Sequence, residues 1–163
     1  MNIFYLSPDP VTSAQAQCDK HVVKMVLETA QMLSAVIHRH GIQDDAAYKP
    51  THKHHPCTLW AGDSRTNFLW LVEHGRALGA EYTRRYSKTH KSLRVIEALA
   101  HHADALPDLG PTPPAQAMPD EYRVPGDAVA AYRAYYTEGK SRTIKMTWRS
   151  PSVPPAWFTP CEG

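Results

Sequence analysis

The chain has 163 residues, 42% hydrophobic and 21% charged, with a formal charge of +2. That is one ordinary domain with a real core, and it excludes a disordered chain. The ten histidines lie outside that charge and would make the surface more basic below about pH 6.5, which points weakly to a polyanionic partner.

Three cysteines, Cys18, Cys57 and Cys161, are an odd and widely spaced set. They argue against a disulfide framework and for a reducing, cytoplasmic location. No run of eighteen apolar residues offers a membrane span. Met1 to Leu6 lacks the basic start of a secretory signal and is stopped by Ser7-Pro8-Asp9-Pro10.

Residues 1–12 read as an extended N-terminal arm, because Asn2-Ile3-Phe4-Tyr5-Leu6 is apolar, too short for a helix, and ended by prolines. Thr12 or Ser13 can cap a long first helix that begins after Ser13, and Gly41 suits a left-handed cap at its end. At 3.6 residues per turn Val22, Val26, Leu33 and Ile37 share one side, Val23, Leu27 and Ala30 lie next to them, and Met25, Met32 and Val36 take the other flank. Well over half the circumference is apolar, so this helix should be central and covered on several sides. The remaining stripe, Gln17, His21, Lys24, Glu28 and Gln31, stacks along one line. It reads either as a solvated face with a Lys24–Glu28 pair or as a cleft lining in which His21 and Glu28 carry chemistry.

Residues 42–56 read as a loop containing Thr51-His52-Lys53-His54-His55-Pro56-Cys57. His52, His54, His55 and Cys57 are possible zinc ligands, but there is no second ligand pair at the usual spacing. The reading is therefore of ordered loop histidines, with no metal and no cofactor. A second helix runs from an Asp63-Ser64 cap through Phe68-Leu69-Trp70-Leu71 to about Tyr86. Its end mixes cations and rings in Tyr82, Arg84, Arg85, Tyr86, Lys88, His90, Lys91 and Arg94, the combination that a phosphate backbone and unstacked bases require. Lys24, Gln31, His55 and Trp60 join Tyr82, Arg84, Arg85, Tyr86, Lys88 and Lys91 as the expected nucleic-acid contacts.

A third helix covers Ser92 to Ala103 with Leu93, Ile96 and Leu99 inward. Residues 104–126 are a proline-rich connection. Asp127 caps a last helix with Val129, Tyr132, Tyr135 and Tyr136, and a proline and aromatic tail, 150–163, pins Trp157 and Phe158 onto the core. Several helices without a convincing strand give an all-α single domain.

Met1 to Pro8, Asp19-Lys20-His21 with Glu28 seven residues on, His55-Pro56-Cys57-Thr58-Leu59-Trp60, and Glu81-Tyr82-Thr83-Arg84-Arg85-Tyr86 together resemble the pyrimidine dimer DNA glycosylases of the phage endonuclease V type. The similarity spans roughly the first ninety residues. The Asp19-to-Met25 signature is also similar to that of a group of small phage proteins. The resemblance implies a compact helical domain that acts on an extruded base in duplex DNA. It also implies a terminal amine, on Met1 or Asn2, that attacks the sugar C1′ to form an imine, assisted by Glu28, with His21 as a DNA-contacting histidine. Where the family presents threonine after its initiator methionine, this chain has Asn2, and two arginines near the family's glutamate fall at Leu27 and Gln31. An α-amine titrates near pH 7.7 to 8.0, so a useful fraction is a neutral nucleophile.

Excision by a monomeric glycosylase or abasic-site lyase is the leading expectation. One alternative keeps the base pocket but joins a small amine or amino-acid co-substrate to an activated 5-hydroxymethyl pyrimidine, with Glu28 or His21 as general base and Trp60, Tyr82 or Tyr86 stacking the base. A non-catalytic DNA-binding protein is the other.

Overall fold

The computed structural model describes residues 1–160; Cys161 of the cysteine reading, with the last two residues of the 150–163 tail, lies outside the described residues. Among the described residues every regular element is helical, as the sequence leads one to expect: α1 (Pro10–Gln15), α2 (Asp19–Arg39), α3 (Pro56–Asp63), α4 (Arg65–Tyr86), α5 (Leu93–Ala100), two short 3-10 turns (Ala103–Ala105 and Asp120–Tyr122), α6 (Ala128–Ala134), a π-turn (Tyr135–Lys140) and α7 (Ser141–Thr143). No helix among the described residues is long and apolar enough to cross a membrane.

α2 is the axis of the domain and packs against α3, α4 and α5, while α1 lies on α4. Val22, Val26, Ala30, Met32, Leu33, Val36 and Ile37 are all buried. Each large aliphatic removed from water contributes about 1.5–3 kcal/mol, so this face alone accounts for the position of α2. α4 lies close to it because Gly75 has no side chain. A Cβ there would stand 2.7 Å from Thr29 Cγ2 and 2.9 Å from Ile96 Cδ1.

Several sequence expectations need correction. The first helix is not continuous from Ser13, because α1 and α2 are separated by residues 16–18, with Cys18 extended. The carbonyls of Gln15 and Gln17 accept instead from the Arg85 guanidinium at 3.1 and 2.7 Å, and that of Ala16 from the Trp148 indole at 3.0 Å. Those tertiary donors satisfy the end of α1, and the chain turns. Val23 and Leu27, read as covered flanks, are 41% and 39% exposed.

α3 was not expected from the sequence. It starts at Pro56, whose missing N–H costs nothing at a first position, and His55 Nδ1 caps it by accepting from Cys57 N at 3.1 Å. The expected caps of α4 and α6 are present, with Ser64 Oγ accepting from Asn67 N and Asp127 Oδ1 from Ala130 N. Gly41 has the expected positive φ of 74°. The 104–126 connection is tied down at several points. Asn67 holds Thr112, Tyr132 Oη donates to the Ala115 carbonyl, and Asn2 Nδ2 donates to the Ala117 carbonyl at 2.9 Å. Trp148, Trp157 and Phe158 lie partly buried against the core.

Candidate active site

The N-terminal arm is bent back over α2. Ile3, Phe4 and Leu6 are buried, and Phe4 has φ 44°, a conformation that bulky residues avoid. Asn2 Oδ1 holds it by accepting from the N–H groups of Ile3 and Phe4, while the Phe4 carbonyl accepts from Ser13 Oγ and Leu6 N. The turn stacks the Phe4 ring on His21, with centroids 4.2 Å apart, and carries the first two residues to Glu28.

Glu28 is 6% exposed and points into a cleft of about 420 Å³. Its Oε2 accepts from Asn2 N at 3.2 Å; the Met1 amine stands 3.7 Å and the Lys24 ammonium 3.6 Å from Oε1. The cleft is also lined by His21, His55, Gln116, Arg123, Tyr135 and Lys140. Lys140 Nζ lies over the Phe4 and Tyr135 rings, 5.9 and 5.4 Å from their centroids. One carboxylate thus faces the terminal amine and Lys24 in a cleft also lined by Lys140 and by Arg123, the latter paired with Asp120 at 2.8 Å, a balance that still favours an anionic ligand.

His21 is 6% exposed, with Nδ1 2.6 Å from Tyr136 Oη. Burial, reinforced by the charges of Lys140 and Lys24, lowers its pKa to about 3. The other buried imidazole, His74, is lowered to about 4 by burial and is held between the Pro10 carbonyl and Gln17. Both rings are neutral in the folded protein, whereas an unfolded histidine takes up a proton near pH 6.5. Their contribution to stability is therefore complete above that pH and is lost as pH falls toward 4. At pH 5 each ring should cost about 2 kcal/mol, so the urea midpoint should drop steeply between pH 7.5 and 5. A flat midpoint across that range would contradict the burial of neutral rings.

The polar stripe divides. His21, Lys24 and Glu28 line the cleft, but Gln17 is fully buried against His74 and Gln31 is half-buried and away from the cleft lining. Of the other expected DNA contacts only His55 reaches the cleft. Trp60 is 5% exposed, its indole donating to the Thr112 carbonyl, so its ring is not free to stack on a base. Arg85 is 3% exposed and held by Glu81, Asp19 and two carbonyls; a buried guanidinium with its donors taken does not reach DNA. Tyr82 and Tyr86 are half-buried and packed together, with the Arg149 guanidinium over Tyr86, whereas Arg84, Lys88 and Lys91 are exposed.

The histidine-rich loop is dispersed. His55 Nδ1 caps α3, His52 meets Thr51, and Cys57 is buried with its thiol pushed up to about 12. Among the described residues no group of three His, Cys, Asp or Glu side chains could hold a metal ion.

A larger cavity of about 600 Å³ lies between α4 and the tail, lined by Glu81, Arg84, Arg133 and residues 151–157. Its carboxylate is already engaged by Arg85 Nε and Ser152 Oγ, at 2.9 and 2.8 Å, so the smaller cleft is the better candidate for chemistry. The sequence reading missed Phe4, Gln116, Arg123, Tyr135 and Lys140 as parts of that cleft. Only the cluster of tyrosines ahead of Lys140 hinted at them, since it is too aromatic for an ordinary surface helix.

The architecture defines a class: an all-helical domain with a terminal amine set against a helix carboxylate at the bottom of a cation-lined cleft. Residues 1–94 match the family model described as pyrimidine dimer DNA glycosylase, and the chain belongs to that family. At the level of the family this gives a glycosylase-like function with DNA as the partner. No curated protein and no solved structure matched the chain.

Proposed function

We propose that the chain excises pyrimidines from damaged duplex DNA and opens the resulting abasic site, with its terminal amine as the nucleophile. The observation that carries this reading is the pair of backbone nitrogens on Glu28, Met1 N at 3.7 Å and Asn2 N at 3.2 Å. With Met1 in place its amine faces the carboxylate. With Met1 removed, the Asn2 nitrogen becomes the α-amine and already lies within hydrogen-bond reach of Glu28. Either form leaves a nucleophile beside the same acid.

In this reading the amine lone pair attacks C1′ of the extruded nucleotide, and the C1′–N bond breaks with its electrons leaving on the base. Loss of the amine proton and opening of the sugar ring, whose oxygen takes up a proton as its bond to C1′ breaks, then give the protonated imine; removal of a C2′ proton from it expels the 3′ phosphate and breaks the strand. The Glu28 carboxylate stabilises the cation that develops at C1′ and receives the proton, while Lys24, Lys140 and Arg123 hold the flanking phosphates. The same geometry favours excision over joining an amine co-substrate to the base. The carboxylate that would activate an incoming amine is already occupied by the chain's own.

A duplex carrying a single cyclobutane dimer tests the proposal. Incision of the dimer strand, with the undamaged duplex left intact, is the expected result on a denaturing gel. Protein that binds both duplexes and incises neither dimer nor abasic DNA would contradict it.

A further inference from the structure

Tyr136 lies beyond the 94 residues that carry the family match, yet it is fully buried and meets the cleft through His21. It sits on the π-turn, buried, while Tyr135 and Lys140 of the same turn are half-buried and line the cleft. Its phenol has three neighbours: Cys18 N at 3.2 Å, His21 Nδ1 at 2.6 Å and Cys18 Sγ at 3.7 Å. A phenol has one proton to donate and two lone pairs to offer. The Cys18 N–H, which can only donate, occupies one lone pair. The proton then goes either to the imidazole nitrogen or to a thiol sulfur more than an ångström further away. Sulfur is a weak acceptor, and 2.6 Å is the length of a strong O–H···N bond, so the proton goes to Nδ1.

That choice settles the other side of the ring. A neutral imidazole whose Nδ1 accepts must carry its proton on Nε2. Nε2 has no partner among the described residues, and His21 lines the cleft. Phe4 stacks on one face of the ring and Lys24 and Lys140 add positive charge nearby, so the ring is held both in orientation and in charge state.

We infer that Tyr136 is a positioning residue that locks His21 in the tautomer protonated on Nε2, so that the imidazole donates a hydrogen bond to an acceptor oxygen of the extruded nucleotide. The ligand part of this inference rests on the reading that the cleft receives a nucleotide. The sugar ring oxygen, a phosphate oxygen and a pyrimidine carbonyl share the required chemistry. An Nε2–H ring is neither a general base nor a cation toward the cleft, which leaves Glu28 as the group that accepts protons there.

The tautomer can be read without DNA. In ¹⁵N-labelled protein at pH 7, long-range proton–nitrogen spectra should place the His21 proton on Nε2, with Nδ1 bare; a proton on Nδ1, or a charged ring, would overturn the inference. In Tyr136→Phe the ring should become a mixture of tautomers, and single-turnover incision of an abasic duplex should slow by the factor by which the Nε2–H form is depleted, about two- to fivefold, with the Kd for that duplex changed by no more than that factor. Wild-type tautomer and wild-type rate in folded Tyr136→Phe would also overturn it. Should that variant fail to fold, the spectrum of the unsubstituted protein still decides. Because the tautomer is measured on free protein, its failure is distinguishable from a failure to incise DNA, which would count against the proposed function instead.

Discussion

Replacing Glu28 by glutamine is expected to slow incision at a dimer or abasic site by about 100- to 1,000-fold, while folding is retained and DNA binds as well as before or slightly more tightly. The amide keeps the volume of the side chain and can still accept from Asn2 N, so the arm should stay in place. What it removes is the negative charge that faces the Met1 amine and Lys24 and that would accompany a developing cation at C1′. Loss of a carboxylate from a cleft whose other charges are cationic cannot weaken the attraction for a phosphate backbone. Single-turnover incision and Kd, both measured at one salt concentration, separate the two effects. An unchanged rate would remove Glu28 from the chemistry; a parallel loss of rate and affinity would make it a binding residue.

Arg85→Ala should cost about 3–5 kcal/mol of stability, the expected result of removing one partner from a buried ion pair. The guanidinium is enclosed and makes four contacts: Glu81 Oε2 at 2.9 Å, Asp19 Oδ1 at 3.2 Å, and the carbonyls of Gln17 and Gln15. Without it the buried Glu81 carboxylate keeps only Ser152, and the turn between α1 and α2 loses its donors. Asp19 would still cap the 147–149 segment through Thr147 Oγ1 and Arg149 N, so part of the tail contact should survive. Arg84, the next residue back, is exposed, and its replacement by alanine should change stability by no more than about 0.5 kcal/mol. Urea denaturation of the two variants side by side makes the comparison. Normal stability with weakened DNA binding in Arg85→Ala would mean that the side chain leaves its buried network to meet DNA.

The contrast between these neighbours shows what the sequence could and could not convey. A run of Tyr82, Arg84, Arg85 and Tyr86 reads as a DNA-facing surface because each residue is suited to one. Which of them points inward depends on Gln15, Gln17 and Asp19, some 66 to 70 positions away. The same partners end α1, so the break at residues 16–18 was hidden for the same reason. α2 was legible because its apolar pattern is long and regular, and Ser64, Asp127 and Gly41 were legible because capping is a local matter. His21 and Glu28 emerged from a single stripe on that helix. The rest of the cleft did not, because no periodicity predicts that Phe4 will bend onto His21 or that Tyr136 will meet it across 115 positions. Trp60 fell between the two: the residue was noticed, but its burial depends on the 104–126 connection, whose path follows no repeat.

The most direct test of the central claim is borohydride trapping on a duplex with an abasic site, followed by mass spectrometry of the cross-linked peptide. The amine–Glu28 geometry predicts a covalent adduct on the α-nitrogen of the first residue, Met1 or Asn2 according to processing, and its loss in Glu28→Gln. An adduct on Lys24 or Lys140, or none from protein that binds the duplex, would contradict the terminal amine as nucleophile.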